Sequence, residues 1–219
     1  MFETAITLDQ FLAAMHDTLV MVSVSLLIGS LLGIPLGILL VITRPGGLVD
    51  NQFFYKVINP IINVVRSLPF IILLISIIPF TRLVVHTTIG TAGAIVPLII
   101  YIAPYIARLV ENSLLEINPG IIEAAKSMGA TPLQAIWHFL LPEALASLIL
   151  ALTTATIGLI GATAMAGTVG GGGIGDLAIT YGYQRFDTFA TVSTAIVLII
   201  VVQGLQSLGN VISRRLRRE

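Results

Sequence analysis

The sequence predicts an all-α, polytopic membrane protein with five transmembrane helices and a short cytoplasmic helical hairpin between spans three and four. Of its 219 residues, 56% are hydrophobic and only 10% are charged, whereas a soluble domain carries about 25% charged residues. Apolar stretches recur that approach the length of about 20 residues needed to cross a bilayer. One long polar interruption, at residues 118–143, divides the second half of the chain. Residues 1–219 are therefore predicted to form one transmembrane domain.

The first span is predicted at residues 18–42, after an amphipathic lead-in at residues 1–16. The lead-in has no positively charged region before its apolar run, so we expect no cleavable signal peptide. Within the span, Gly29, Gly33 and Gly37 recur every fourth residue and form one small-residue face. Such a face lets a second helix approach closely, and we expect that helix to belong to the same subunit.

The other spans follow from the remaining apolar stretches. Residues 44–47 end the first helix, since Pro and Gly break helices. Pro97 and Pro104 predict kinks within the third span, whose freed backbone groups need other partners. Spans two to five are predicted from residue 59 or 66 to 79, at 88–107, at 143–165 and at 189–208.

The distribution of Lys and Arg predicts the orientation, because these residues favour cytoplasmic loops. With the C-terminus inside, only Arg82 and Arg185 lie outside. We therefore expect the N-terminus outside, and the hairpin and the C-terminus in the cytoplasm. The residues placed inside are Arg44, Lys56, Arg66, Arg108, Lys126, Arg214, Arg215, Arg217 and Arg218.

The polar interruption predicts two short helices joined by a sharp elbow. Asn118 is a favourable N-cap for a helix that begins with Pro119. Gly129 stands where a left-handed residue would end that helix. Thr131 and Gln134 have the spacing of a capping box for the second helix, which is expected to end near residue 139 before Leu141-Pro142 opens the next span.

The order of residues in this hairpin, about 118–142, resembles the EAA loop of ABC importer permeases. The loop reads Glu-Ala-Ala, three residues, Gly, nine residues, an aliphatic residue, one residue and Leu-Pro. Only Phe139, in the aliphatic position, departs from it. The resemblance implies that the hairpin docks into a cleft on a separate ATPase subunit. The residues it assigns to ATPase coupling are Glu123, Ala124, Ala125, Gly129, Ala130, Leu141 and Pro142.

The residue types at these positions suit docking. Ala124 and Ala125 keep the helix thin enough to enter a groove. Glu123 offers a charge to a basic residue of the partner, and Gly129 lets the second helix fold back. An ordinary cytoplasmic hairpin with no partner is the alternative.

The predicted spans contain no chemistry that would drive transport. They hold no ionisable residue in their interiors, and Arg108 and Glu111 follow the third span three residues apart, where they could pair. An ion-coupled transporter usually carries an intramembrane carboxylate or histidine and two equal repeats. The glycine run at 170–175 lacks the Lys and Ser/Thr of a phosphate-binding loop, and predicts a tight turn or a gating element. No catalytic site, metal site or cofactor site is predicted, so the chain is not expected to be an enzyme.

Further stretches resemble the permeases of the methionine uptake transporter family. The resemblance extends over about residues 20–212. The stretches that carry it are residues 66–74 (RSLPFIILL), 78–82 (IPFTR), 103–108 (APYIAR), 110–116 (VENSLLE), 164–167 (AMAG) and 181–183 (YGY).

This resemblance implies a homodimer in the bacterial inner membrane. Each copy would bind one ATPase subunit, which holds ATP and Mg²⁺, and a lipid-anchored binding protein would deliver methionine from outside. Whether D-methionine is accepted stays open. Membrane lipid is the other expected partner, and no nucleic acid is expected. The alternatives are a permease for another amino acid or small peptide, and an ATPase-independent channel or scaffold.

The outer end of the fourth span is the candidate gate. Met165, Ala166 and Gly167 lie just before the glycine run. A flexible thioether can plug a narrow pore and withdraw from it. Packing of Met165 within the helix bundle is the alternative.

Overall fold

The structure is a computed structural model that describes residues 6–217. Over these residues every regular element is helical, and no strand is present. Two π-helical turns, Ile136–Leu140 and Ala178–Tyr183, interrupt or extend the α-helices. The α-helices are α1 (Leu8–Thr43), α2 (Gln52–Ser67), α3 (Phe70–Ser76), α4 (Ile78–Val85), α5 (Gly90–Leu115), α6 (Pro119–Ser127), α7 (Pro132–Ala135), α8 (Leu141–Gly167), α9 (Gly173–Leu177) and α10 (Thr188–Leu216).

The number of spans agrees with the sequence prediction when one broken span is included. Helices α1, α5 and α10 and the continuous stretch Pro132–Gly167 are each long and apolar enough to cross a membrane. Helices α2 and α3 pass the same test only together, as a pair whose axes are bent by 105°, and they are the candidate for the fifth span.

The break in the second span differs from the plain helix that the sequence suggested. Pro69 restricts the residue before it to extended conformations, and Leu68 accordingly has φ −81° and ψ 128°. The helix therefore ends at Ser67 and restarts in a new direction at Phe70. After a one-residue break at Ile77, the separate helix α4 carries the chain beyond residue 79 to Val85.

The first helix starts earlier than predicted. Thr7 and Gln10 form a reciprocal capping box at its N-terminus, so the helix begins at Leu8 and takes in most of the predicted lead-in. Residues 1–5 of that lead-in lie outside the described residues.

The glycine face of α1 packs on α5 of the same chain, as predicted. A methyl group added to Gly33 would lie 2.6 Å from the carbonyl oxygen of Ala103 and 2.8 Å from Cβ of Ile106. One added to Gly37 would lie 2.5 Å from the carbonyl oxygen of Ala107. The two backbones thus approach at a distance that only glycine allows, and this contact forms the centre of the bundle.

The hairpin's second helix does not end before the fourth span, which corrects the sequence prediction. Helix α7, the first π turn and α8 run on as one stretch, Pro132–Gly167. Pro142 has no N–H, and its ring would clash with the preceding turn of a regular α-helix. The wider π turn accommodates it, with the Leu141 N–H donating to the Ile136 carbonyl oxygen.

The glycine run forms a tight turn at the other end of α8. Gly170, Gly172 and Gly173 have φ of +77°, +78° and +83°, a region that residues with a side chain rarely adopt. The turn sends α9 back against α1, where the Ile174 N–H donates to Oγ1 of Thr18 at 2.9 Å. The run therefore ties α8, α9 and α1 together.

Candidate coupling hairpin and pathway gate

Helix α6 is closed at its start by the predicted cap. The side chain of Asn118 accepts a hydrogen bond from the Gly120 N–H at 2.9 Å, and Pro119 occupies the first helical position. Nothing within 6–217 forms an ion pair with the Glu123 carboxylate, which is exposed one turn further along.

The elbow that follows α6 is a Schellman motif. Gly129 has φ +75°. Its N–H donates to the Lys126 carbonyl oxygen at 3.0 Å, and the Ala130 N–H donates to the Ala125 carbonyl oxygen at 3.0 Å. These two bonds satisfy the last carbonyl groups of the helix. Ala130, predicted as a coupling residue, therefore supplies a backbone donor to the elbow.

The predicted capping box begins the next helix directly. The Thr131 N–H donates to Oε1 of Gln134 at 2.9 Å, and the Gln134 N–H donates to Oγ1 of Thr131 at 3.4 Å. The cap of α6, the elbow and the capping box of α7 thus follow one another closely between Asn118 and Gln134. The hairpin is expected to move as one body.

The predicted coupling residues separate into exposed and buried groups. Glu123, Ala124 and Gly129 are exposed. Ala125 is fully buried, so its small side chain allows close packing beneath α6 and offers no surface to a partner. Leu141 and Pro142 line an apolar groove of about 510 Å³ between the start of α8 and its neighbours.

Two large apolar residues beside the elbow were not predicted as coupling residues. Met128 is 66% exposed and Leu133 is 65% exposed. The signal that could have found them is an apolar residue on each side of a glycine in an otherwise polar loop. We call Glu123, Ala124, Met128, Gly129 and Leu133 the hairpin tip.

Only one of the three predicted gate residues reaches the surface. Met165 is 51% exposed, whereas Ala166 is fully buried. Gly167 packs directly on the backbone of Gly175 and Asp176 in α9. Ala166 and Gly167 therefore hold the glycine turn, and Met165 alone projects from the end of α8.

An aromatic row that the sequence did not single out crosses α3 and α5. Phe70 meets Tyr101 edge-on, with ring centroids 5.2 Å apart. Tyr101 stacks on Tyr105 with centroids 6.4 Å apart and planes 7° from parallel. A methyl added to Gly158 of α8 would lie 3.9 Å from Tyr105. Gly161, which is exposed, and Gly158, which is partly exposed, lie on the same face of α8 as Met165, four and seven residues before it.

The described part of the chain offers no candidate metal centre. Between residues 6 and 217, no three His, Asp or Glu side chains come close enough to hold a metal ion.

Comparison with known proteins gives consistent matches. Residues 33–218 match the family model described as binding-protein-dependent transport system inner membrane component. The probable D-methionine transport system permease protein MetI of Vibrio cholerae is 47% identical over 211 residues, covering 96% of this chain and 94% of that protein. The D-methionine transport system permease protein MetI of Escherichia coli is 52% identical over 151 residues, or 69% of this chain and 70% of that protein.

Solved structures agree with this fold. A chain from inward-facing conformations of the MetNI methionine ABC transporter is 43% identical and covers 98% of this chain and 99% of its own length, with a TM-score of 0.94. A chain from an amino acid ABC transporter covers 94% of both chains with a TM-score of 0.77. At 20% identity, the second likeness shows a shared fold alone.

Proposed function

The chain belongs to the family of binding-protein-dependent transport system inner membrane components, and we propose on this premise that it imports methionine. It is the membrane-spanning permease subunit of an ATP-driven ABC importer. The assignment of methionine as the substrate rests on 47% identity, across 96% of the chain, with a probable D-methionine permease. ATP hydrolysis belongs to a separate subunit.

Two copies of the chain form the translocation pathway, and each binds one ATPase subunit. ATP and Mg²⁺ are held by the ATPase subunits. A lipid-anchored binding protein delivers methionine at the outer face. The termini are proposed to lie on opposite sides, with the C-terminus and the hairpin in the cytoplasm. The Lys and Arg distribution supports this orientation, although Arg218 lies outside the described residues.

The hairpin tip is the proposed docking surface on the ATPase. The apolar side chains of Met128 and Leu133 enter a cleft of the partner, and Ala124 lets the α6 backbone approach it. The Glu123 carboxylate, which lacks an ion-pair partner in residues 6–217, pairs with a basic residue of the ATPase. Burial of exposed apolar area and pairing of a free charge both favour binding.

Movement of the hairpin passes directly to the pathway because α7 and α8 are continuous. The stretch Pro132–Gly167 has 36 residues and is about 54 Å long at 1.5 Å per residue. A rigid body at one end therefore tilts or shifts Met165 at the other. We assign Met165 to the outer gate, and Ala166 and Gly167 to the packed turn that anchors it.

The gate assignment predicts a leak when the thioether is shortened. Met165→Ala should raise ATP-independent efflux of methionine from preloaded proteoliposomes several-fold, because alanine cannot fill the same space. Met165→Leu keeps the bulk and should stay near the native rate. Equal efflux from the native, Ala and Leu proteins would refute a plug at this position.

Uptake by proteoliposomes tests the function itself. The vesicles carry this permease and its ATPase, with ATP supplied on the hairpin side, and the binding protein and labelled methionine are added to the opposite side. We expect accumulation of methionine that requires both ATP and the binding protein. Accumulation of another amino acid or a small peptide, and not of methionine, would show that methionine is the wrong substrate assignment. Absence of ATPase binding would favour an ATPase-independent channel or scaffold.

A further inference from the structure

Helix α2 is held against the bundle by a small apolar contact. Of its sixteen residues, only Ile62 is buried, and it packs with Leu40 of α1 and Ala107 of α5. The opposite side of α2 carries an apolar stripe that no other part of residues 6–217 covers. The exposed residues of that stripe are Phe53, Val57, Ile61 and Val64.

A polar cluster adds the second attachment of α2 to α5. Nη2 of Arg108 donates to Oδ1 of Asn59 and to Oδ1 of Asn63, each at 2.7 Å. Nη1 of the same guanidinium pairs with the Glu111 carboxylate, as the sequence spacing predicted. Asn59 and Asn63 lie one turn apart on α2, so one arginine bridges two successive turns of its neighbour.

The cluster lies near the C-terminal end of α5, a helix long and apolar enough to cross a membrane. The predicted third span ended at residue 107, but α5 continues through Arg108 and Glu111 to Leu115. The side chain of Glu111 is 5% exposed and that of Arg108 is 17% exposed. Burying two charges is costly, and a pair of this kind is weak evidence for a role in stability alone.

The hydrogen bonding of Arg108 also leaves room for a second arrangement. Each of the two N–H groups of Nη2 donates to a different asparagine, so the two bonds can break separately, and Nε is buried without a hydrogen-bond partner within the described residues. Arg108 can therefore keep one asparagine while it exchanges the other. One-turn shifts of this kind are a known way for packed helices to switch.

The cluster connects the two parts of the chain that must move together. Helix α5 leads into α6 through residues 116–118, and the Ser147 hydroxyl of α8 donates to the Glu116 carboxylate at 3.3 Å. Helix α2 leads through the break at Pro69 into α3, whose Phe70 contacts Tyr101. Arg108 lies between the hairpin and this broken span.

We propose that Arg108 is a positioning residue that transmits hairpin movement from α5 to α2 during transport. Glu111 fixes the guanidinium on α5, and Asn59 and Asn63 receive it on α2. This inference rests on the proposed function, since it assumes that an ATPase moves the hairpin.

The test removes the α2 side of the contact and leaves the ion pair and Ile62 in place. Asn59→Ala/Asn63→Ala in the complete complex should keep ATP hydrolysis near the native rate. Methionine transported per ATP hydrolysed should fall at least about tenfold, since two hydrogen bonds to a charged group are lost. Gln52→Ala/Lys56→Ala, at exposed positions of the same helix, is the matched control and should couple normally.

A conservative variant separates positioning from folding. Asn59→Ala/Asn63→Asp restores one acceptor of the same shape and should recover most of the lost coupling. The proposal is overturned if the double alanine variant transports as many methionines per ATP as the native protein. It is also overturned if hydrolysis and transport fall in proportion, or if the aspartate recovers nothing. Failure of the native complex to take up methionine would instead refute the proposed function.

Discussion

Gly129→Val should strongly weaken docking of the ATPase while the permease still inserts in the membrane. Gly129 has φ +75°, where a β-branched residue is strongly disfavoured. A Cβ there would meet no atom within 4 Å, so the effect is conformational and involves no steric clash. The strain of about 1–3 kcal/mol would open the Schellman elbow and weaken docking by about 5- to 150-fold.

The control for this prediction is an asparagine at the same position. Asn tolerates the left-handed region, so Gly129→Asn should bind the ATPase within a few-fold of the native protein. Binding is measured by co-purification of the ATPase with the detergent-solubilised permease, and uptake is measured in proteoliposomes. Equal docking of the native, Val and Asn proteins would show that the elbow geometry does not govern docking.

Glu123→Lys should have an effect of similar or greater size. Its exposed carboxylate is proposed to meet a basic residue of the ATPase, and a lysine would place two positive charges opposite each other. Reversing an interfacial charge costs about 3 kcal/mol, or about 100-fold in Kd. Because Glu123 is exposed, the change should leave the fold and membrane insertion intact.

Two variants separate charge from other effects. Glu123→Gln keeps the shape of the side chain and loses its charge, and is expected to lie between the native and Lys proteins in ATPase affinity. Asp9→Lys reverses an exposed charge in the first turn of α1 and should dock normally. If Glu123→Lys binds the ATPase as tightly as the native protein does, Glu123 is not part of the docking interface.

Local interactions explain what could be predicted from residues alone. Two helix starts and one elbow depend on neighbours within a few positions, so the sequence alone could predict them. These are the starts at Asn118 and Thr131 and the elbow at Gly129. The number of spans follows from the length of apolar stretches. The packing face of α1 could be recognised because its glycines recur every fourth residue.

The substrate is a different matter. The composition of the spans argued against ion-coupled transport, but no residue in them selected methionine. That assignment came from the likeness of whole stretches to a family of permeases. The likeness to a D-methionine permease over 96% of the chain agrees with it.

The sequence by itself determined the class of protein, the presence of the apolar spans and the caps of the hairpin, because each depends on composition or on residues close together in the chain. Only the tertiary structure decided which helices meet. Each membrane helix carries apolar residues on all of its faces, so hydrophobic periodicity does not identify which face meets which neighbour. The hydrogen bond between Thr18 and Ile174 joins residues 156 positions apart. Arg108 donates hydrogen bonds to asparagines 45 and 49 positions away. The 105° bend of the second span and the continuity of α7 with α8 likewise depend on how the chain packs around its prolines.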